Sequence, residues 1–146
     1  MKKIICFATM CIIILLIVAG HFSFGNIAVS EKNENEFWLR EQSYLLNYTI
    51  QDNSIQLRYS FCFQNQTGYD LRLNGFVVDL RKRDLKGWLK YEDSYDGVLE
   101  NGEDDILILS GERINVILVI EGEYLGGDVN TNFRINHIVM GQRICQ

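Results

Sequence analysis

The chain has 146 residues, 19 acidic and 14 basic, with a net charge of -5 and no proline. An acidic balance excludes the basic footprint of nucleic-acid binding and of adhesion to anionic lipid. The length permits one core of ordinary size.

Lys2 and Lys3 stand before Ile4–Gly20, a run without one charged residue. Lysines stay on the cytoplasmic side while the apolar run enters the bilayer, the arrangement of an export signal. The start therefore predicts a signal peptide or transmembrane signal-anchor over residues 1–25. It places residues 4–24 in the membrane, the N-terminus in the cytoplasm and the rest of the chain outside. The run falls between the roughly 7–15 apolar residues of a signal peptide and the about 20 of a spanning helix. Phe22 and Phe24 extend it toward Gly25, past His21 and Ser23. Val18 with Gly20, or Ser23 with Gly25, offers a cleavage pattern instead. The reading leans to a retained anchor, with secretion after cleavage as the alternative. Cys6 and Cys11 lie within the run but lack the sequence around a lipid-modified cysteine. After Gly25 come 12 basic and all 19 acidic residues, a net charge of about −7.

Asn26–Glu36 is polar and charged, and residues 26–42 read as a linker holding the domain off the surface. Phe37–Leu46 is open between two readings. Phe37, Trp38, Tyr44 and Leu45 line a helical face, or the stretch begins the first strand. From Ser43 onward, residues 43–146, short β-branched and aromatic runs alternate with polar turns. Tyr44–Ile50 is one strand, and Asp52-Asn53 is a turn signal. Ile55, Leu57, Tyr59, Phe61 and Phe63 then alternate with Gln56, Arg58, Ser60, Cys62 and Gln64, the clearest strand in the chain. Leu73–Arg81, a short edge strand Trp88–Tyr91, Asp105–Leu109 and Arg113–Ile120 follow. Asn132–Met140 closes the domain with Phe133, Ile135, His137 and Val139 on one face. The pattern predicts an all-β, antiparallel sandwich of about seven strands, preceded by the N-terminal apolar helix. Ile55 to Phe63 on the inward face should pack against Val116, Leu118 and Ile120.

This order resembles the immunoglobulin-like β-sandwich domains attached to many bacterial cell-surface proteins. The likeness rests on the hairpin Tyr48–Phe63, Asn65 at its end, Phe76–Asp79 and the acidic loop Glu100–Glu103. The run Arg113–Glu121 and the last strand Asn136–Met140 complete it, so that it covers about Ser43–Met140. The Cys…Trp…Cys spacing of antibody domains is absent, and Cys62 falls on the polar side of its strand, where it cannot form the central inter-sheet bridge. The resemblance implies a binding or spacer module without catalytic residues.

Catalytic chemistry finds few candidates. Nucleophilic catalysis needs Ser or Cys beside a histidine base. His137, the only histidine of the exported part, reads as a partly buried structural residue on the face of Phe133, Ile135 and Val139. Zinc needs three or four His or Cys ligands, and His137, Cys62 and Cys145 are too few and too scattered. Gly126-Gly127 is a turn. Arg81-Lys82-Arg83 with Lys86 is a solvated basic turn, and Trp38 and Trp88 are packing residues. Asn47-Tyr48-Thr49 and Asn65-Gln66-Thr67 match the glycosylation sequon, which matters only in a eukaryotic source.

Glu92–Glu103 has EF-hand-like spacing. Glu92, Ser94, Asp96, Gly97, Leu99 and Glu103 fall at its first, third, fifth, sixth, eighth and twelfth positions. Its first position is Glu rather than Asp, its third carries only a hydroxyl, and its flanks read as strands. The expectation is a solvated acidic loop, with Asp93, Asp96, Glu103, Asp104 and Asp105 as weak candidates for a calcium site of another kind. No other metal and no cofactor is expected. Cys62 and Cys145 are the only cysteines outside the apolar run, and in an oxidising compartment they form a candidate disulfide. It would pin the tail to the outside of the sheet.

Together these features predict a non-enzymatic, membrane-tethered or exported binding module contacting another envelope protein or a surface polymer. An extracellular ligand-sensing or immunity-type membrane protein is the alternative. A small secreted hydrolase using the Glu92–Asp105 carboxylates is less favoured.

Overall fold

The computed structural model describes residues 37–145. The apolar run and the polar stretch after it, residues 1–36, lie outside the described residues, as do the expectations placed on them. Among the described residues no helix is long and apolar enough to cross a membrane.

Seven antiparallel strands form one continuous sheet: β1 Tyr44–Gln51, β2 Ser54–Gln64, β3 Asp70–Leu80, β4 Tyr95–Leu99, β5 Asp105–Ile108, β6 Arg113–Glu123 and β7 Ile135–Cys145. Asp52 and Asn53 make the turn between β1 and β2, with Asp52 at φ 54°. A primed turn needs this conformation, and its twist matches that of the flanking strands. β2 then pairs with β6 over its whole length without a shift, Ser54 opposite Glu123 and Gln64 opposite Arg113. Along β3, β7 lies on one side, while β5 and then β4 share the other.

β4 is the hinge of the architecture. Gly97 pairs with Phe76 of β3 on one side and Ile120 of β6 on the other. A Cβ at Gly97 would stand 3.1 Å from a Leu118 methyl and 3.3 Å from the Phe76 Cβ. The missing side chain lets the sheet turn there and bring the inner faces of β2 and β6 against those of β3 and β7. The enclosed cluster includes Ile55, Leu57, Phe61, Phe63, Leu73, Phe76, Val78, Trp88, Leu118, Ile120 and Ile138. All five inward residues of β2, and Val116, Leu118 and Ile120 of β6, are buried as the alternation predicted.

Two bulges alter the reading of the other layer. Gly75 takes φ 57°, and the register of β3 against β7 shifts between Asn74 and Val77. Leu71 and Leu73 face the core before it; Phe76, Val78 and Leu80 do so after it. A second shift lies where Asp79 pairs with His137 but Leu80 with Ile135, leaving Asn136 as the extra residue of β7. Strict alternation put His137 and Val139 beside Phe133 and Ile135. One inserted residue instead turns Ile138 and Met140 inward, and His137 and Val139 outward.

Other expectations shift locally. Trp88–Tyr91 is not a strand: Trp88 is buried in a turn, and Leu89 makes a single bridge to Tyr124. Phe37–Ser43 belongs to the packed unit. Trp38 bridges to Phe63 where β1 has ended, and Arg40–Gln42 forms one 3-10 turn. Ser43 clips this segment down. Its hydroxyl donates to Leu39 O at 2.9 Å and accepts from Trp38 Nε1 at 2.8 Å and Cys62 N at 3.0 Å.

Candidate functional site

The acidic loop does not converge on a cation. Tyr95–Leu99, the middle of the EF-hand-like spacing, is strand β4, and Gly97 is its corner rather than a loop glycine. Asp93 precedes the strand and Asp96 points outward from it. Glu103 and Asp104 lie beyond its far end, and Asp105 opens β5, where it binds Arg72 at 2.6 Å. That carboxylate raises the guanidinium pKa of Arg72. Among the described residues no three His, Cys, Asp or Glu side chains gather as metal ligands would. The strand separates candidates that are neighbours in sequence.

Cys62 and Cys145 are free thiols in this structure. Cys62 does leave β2 on its outer face, as the alternation requires. It is nevertheless only 1% exposed, because Phe37–Ser43 covers that face; its thiol contacts Gln42 Oε1 at 3.6 Å. Cys145 ends β7 opposite Asp70 of β3. The tail is held by the β3–β7 ladder.

His137 is half-exposed and lies on Asp79, with Nδ1 3.2 Å from Oδ2. Asn136 Nδ2 donates to the same oxygen at 3.0 Å. Nearby, the Lys82 ammonium sits over the Tyr91 ring at 4.6 Å. Partial desolvation and the carboxylates of Asp93 and Asp79 raise the Tyr91 phenol pKa. The arrangement orients an imidazole, but among the described residues no Ser, Thr or Cys hydroxyl or thiol is hydrogen-bonded to it. It ties the bulge of β7 to β3.

Trp38, Tyr59 and Phe133 form the apolar wall of a cleft of about 340 Å³, with Arg40, Glu41 and Arg134 around it. The Arg40 guanidinium lies 4.9 Å from the Trp38 ring centroid and donates to Asn136 O, bridging the segment before β1 to the start of β7. Burial raises the pKa of the Tyr59 phenol, offset in part by Arg40. Asn65, the second sequon asparagine, is fully buried and spends its amide on Tyr69 O, Ile108 O and Leu109 O.

The feature that stands out from this framework is β1. It is the only one of the seven strands without Asp, Glu, Lys, Arg or His. Among the described residues it pairs with β2 alone, and Tyr44, Leu46, Tyr48 and Ile50 are 56%, 40%, 40% and 39% exposed. Tyr48 and Ile50 stand opposite Leu57 and Ile55, so they continue the inner face beyond the point where the second layer covers it. The signal was present in the sequence as YLLNYTIQ, eight uncharged residues in a chain that is 23% charged. Reading it only as a strand hid its position at the rim.

No family model, curated protein or solved structure matches the chain.

Proposed function

We propose that the chain is a non-catalytic interaction module of the cell envelope, with an immunoglobulin-like β-sandwich as its domain. In this reading residues 4–24 meet the membrane, as a retained anchor or as a signal removed on secretion, and the domain works outside. Its partner is another envelope protein or a surface polymer. The observation that carries the reading is β1: a long, uncharged, apolar strand left open at the edge of a sheet. Such edges offer unpaired backbone groups to another strand, and natural proteins commonly blunt them with charge, proline or cover. β1 has one irregularity, between Leu45 and Asn47, and neither charge nor proline.

A two-part experiment tests the proposal in cells. A C-terminal reporter active only outside the cytoplasm should be active. A photo-crosslinking residue at position 48 should form adducts with an envelope component. An active cytoplasmic reporter, or no adduct from position 48, overturns the proposal.

The cleft between Trp38, Tyr59 and Phe133 favours a second reading, an extracellular sensor of a small ligand. Two arginines beside an aromatic wall suit an anionic, partly apolar molecule. Binding there should change the fluorescence of Trp38, and Trp38→Phe should remove that change.

A further inference from the structure

We propose that the occupant of the β1 edge is the β1 edge of a second copy, joined antiparallel about Thr49. The inference rests on the reading of β1 as an interaction surface, and it puts a second copy on that edge in place of another envelope protein or a surface polymer.

Backbone direction comes first. The two-residue turn closes on the pair Gln51–Ser54, which in such a hairpin exchanges both of its hydrogen bonds. Antiparallel ladder bonds recur at alternate pairs, so Thr49 and Asn47 also face β2. The N–H and C=O groups of Tyr48 and Ile50 are left on the open edge. A second β1 can use those four groups in the register Tyr48 to Ile50, Thr49 to Thr49 and Ile50 to Tyr48, which makes four backbone hydrogen bonds around a two-fold axis.

The side chains fit the same register. Tyr48 and Ile50 both lie on the inner face, so each Tyr48 meets an Ile50, an aromatic–β-branched pair. Thr49 meets its own copy on the outer face, and Asn47 meets Gln51, amide against amide. The interface is isologous and closes as a dimer. The result is one sheet running through β6, β2 and β1 of both copies.

Charge permits this partner at β1. Each copy carries a net charge of -5, and β1 is the strand where two copies meet without opposing ionised side chains. The other free edges are less suited. β5 has only four residues and opens with Asp105. β7 carries His137 and Arg143, is bent by a bulge at Asn136, and has the Asn136 carbonyl occupied by Arg40.

Disulfide trapping in the full chain reads the register. Directly opposed residues of a non-hydrogen-bonded antiparallel pair have Cα atoms about 4.5 Å apart, within the roughly 4.4–6.8 Å a disulfide spans. With Cys6, Cys11 and Cys145 replaced by Ser, Thr49→Cys should give several-fold more oxidised dimer than its parent. Asn47→Cys and Gln51→Cys should each give little dimer alone but cross-link when mixed. Thr49→Asp places two carboxylates at the axis. It should abolish concentration-dependent dimerisation in sedimentation, while its unfolding midpoint matches the parent's when both are dilute enough to be monomeric, since Thr49 is exposed. If Thr49→Cys yields no more dimer than Asn47→Cys, the self-pairing is overturned. Adducts from position 48 with a different envelope component would then leave the interaction module standing with another partner. No adduct of any kind would remove both.

Discussion

Ile50 and Ile55 face each other across one hairpin, two residues of the same type in directly paired positions. Ile55 is fully buried and Ile50 is 39% exposed. Along the whole of β2 the inward residues disappear into the core, while every residue of β1 except the half-buried Leu45 is exposed. Richness in β-branched and aromatic residues does not distinguish them, and the absence of charge from β1 does not by itself say which strand is covered. What separates them is cover. β2 has β6 on one side, β1 and Phe37–Leu39 on the other, and the second layer beneath. Among the described residues β1 has a neighbour on one side only. A strand is therefore a core element or an offered edge according to its place in the sheet.

The largest effect should come from β2. Phe61 is fully buried, with its ring 5.0 Å from Tyr59 and 6.1 Å from Phe63. Phe61→Ala should cost about 3–5 kcal/mol through lost transfer energy and a cavity. An unchanged denaturant midpoint would contradict the packing. The hairpin pair sharpens the contrast. Ile55→Ala should cost about 2–5 kcal/mol, and Ile50→Ala less than about 1 kcal/mol. Equal losses from the two isoleucines would mean that β1 is covered.

The corner comes next. Gly97→Val drives its side chain toward Leu118 and Phe76, and overpacking of this kind costs about 1–3 kcal/mol. Urea unfolding checks it, and a more stable variant would show that the sheet does not turn at β4 as described.

The smallest effect is a pH dependence from the buried side of the hairpin. The Tyr59 pKa is raised above its ordinary value near 10, chiefly because burial disfavours the phenolate. The group's contribution is fully present below the unfolded pKa and is lost as pH rises through the folded pKa. Stability should therefore fall above about pH 10, and Tyr59→Phe should flatten that fall. Absorbance of tyrosinate near pH 10–11, compared between the two proteins, isolates the phenol. A curve unchanged by Tyr59→Phe would break the link between Tyr59 and the fall.

Much of the scaffold was legible in the sequence. Ile55 to Phe63 alternate without interruption, so the core face of β2 could be read directly, as could its match with Val116, Leu118 and Ile120. The bulges could not be read. Gly75 and Asn136 each add one residue to a ladder, and an alternating pattern has no mark for an insertion until the opposing strand supplies the register. For that reason His137 was placed on the inner face and is found outside it on Asp79. The acidic run reads in the sequence as a solvated loop with EF-hand-like spacing; the spacing could not show that β4 runs through it and separates Asp93 from Glu103.

The sequence by itself determined the all-β class, the hairpin and the buried face of its second strand. These follow from side-chain period and turn chemistry, which are local. Tertiary structure decided that Gly97 turns the sheet, that Phe37–Ser43 buries Cys62, and that β1 stays open. Those outcomes depend on which distant segment lies against each strand, and burial is a property of the neighbours as much as of the residue.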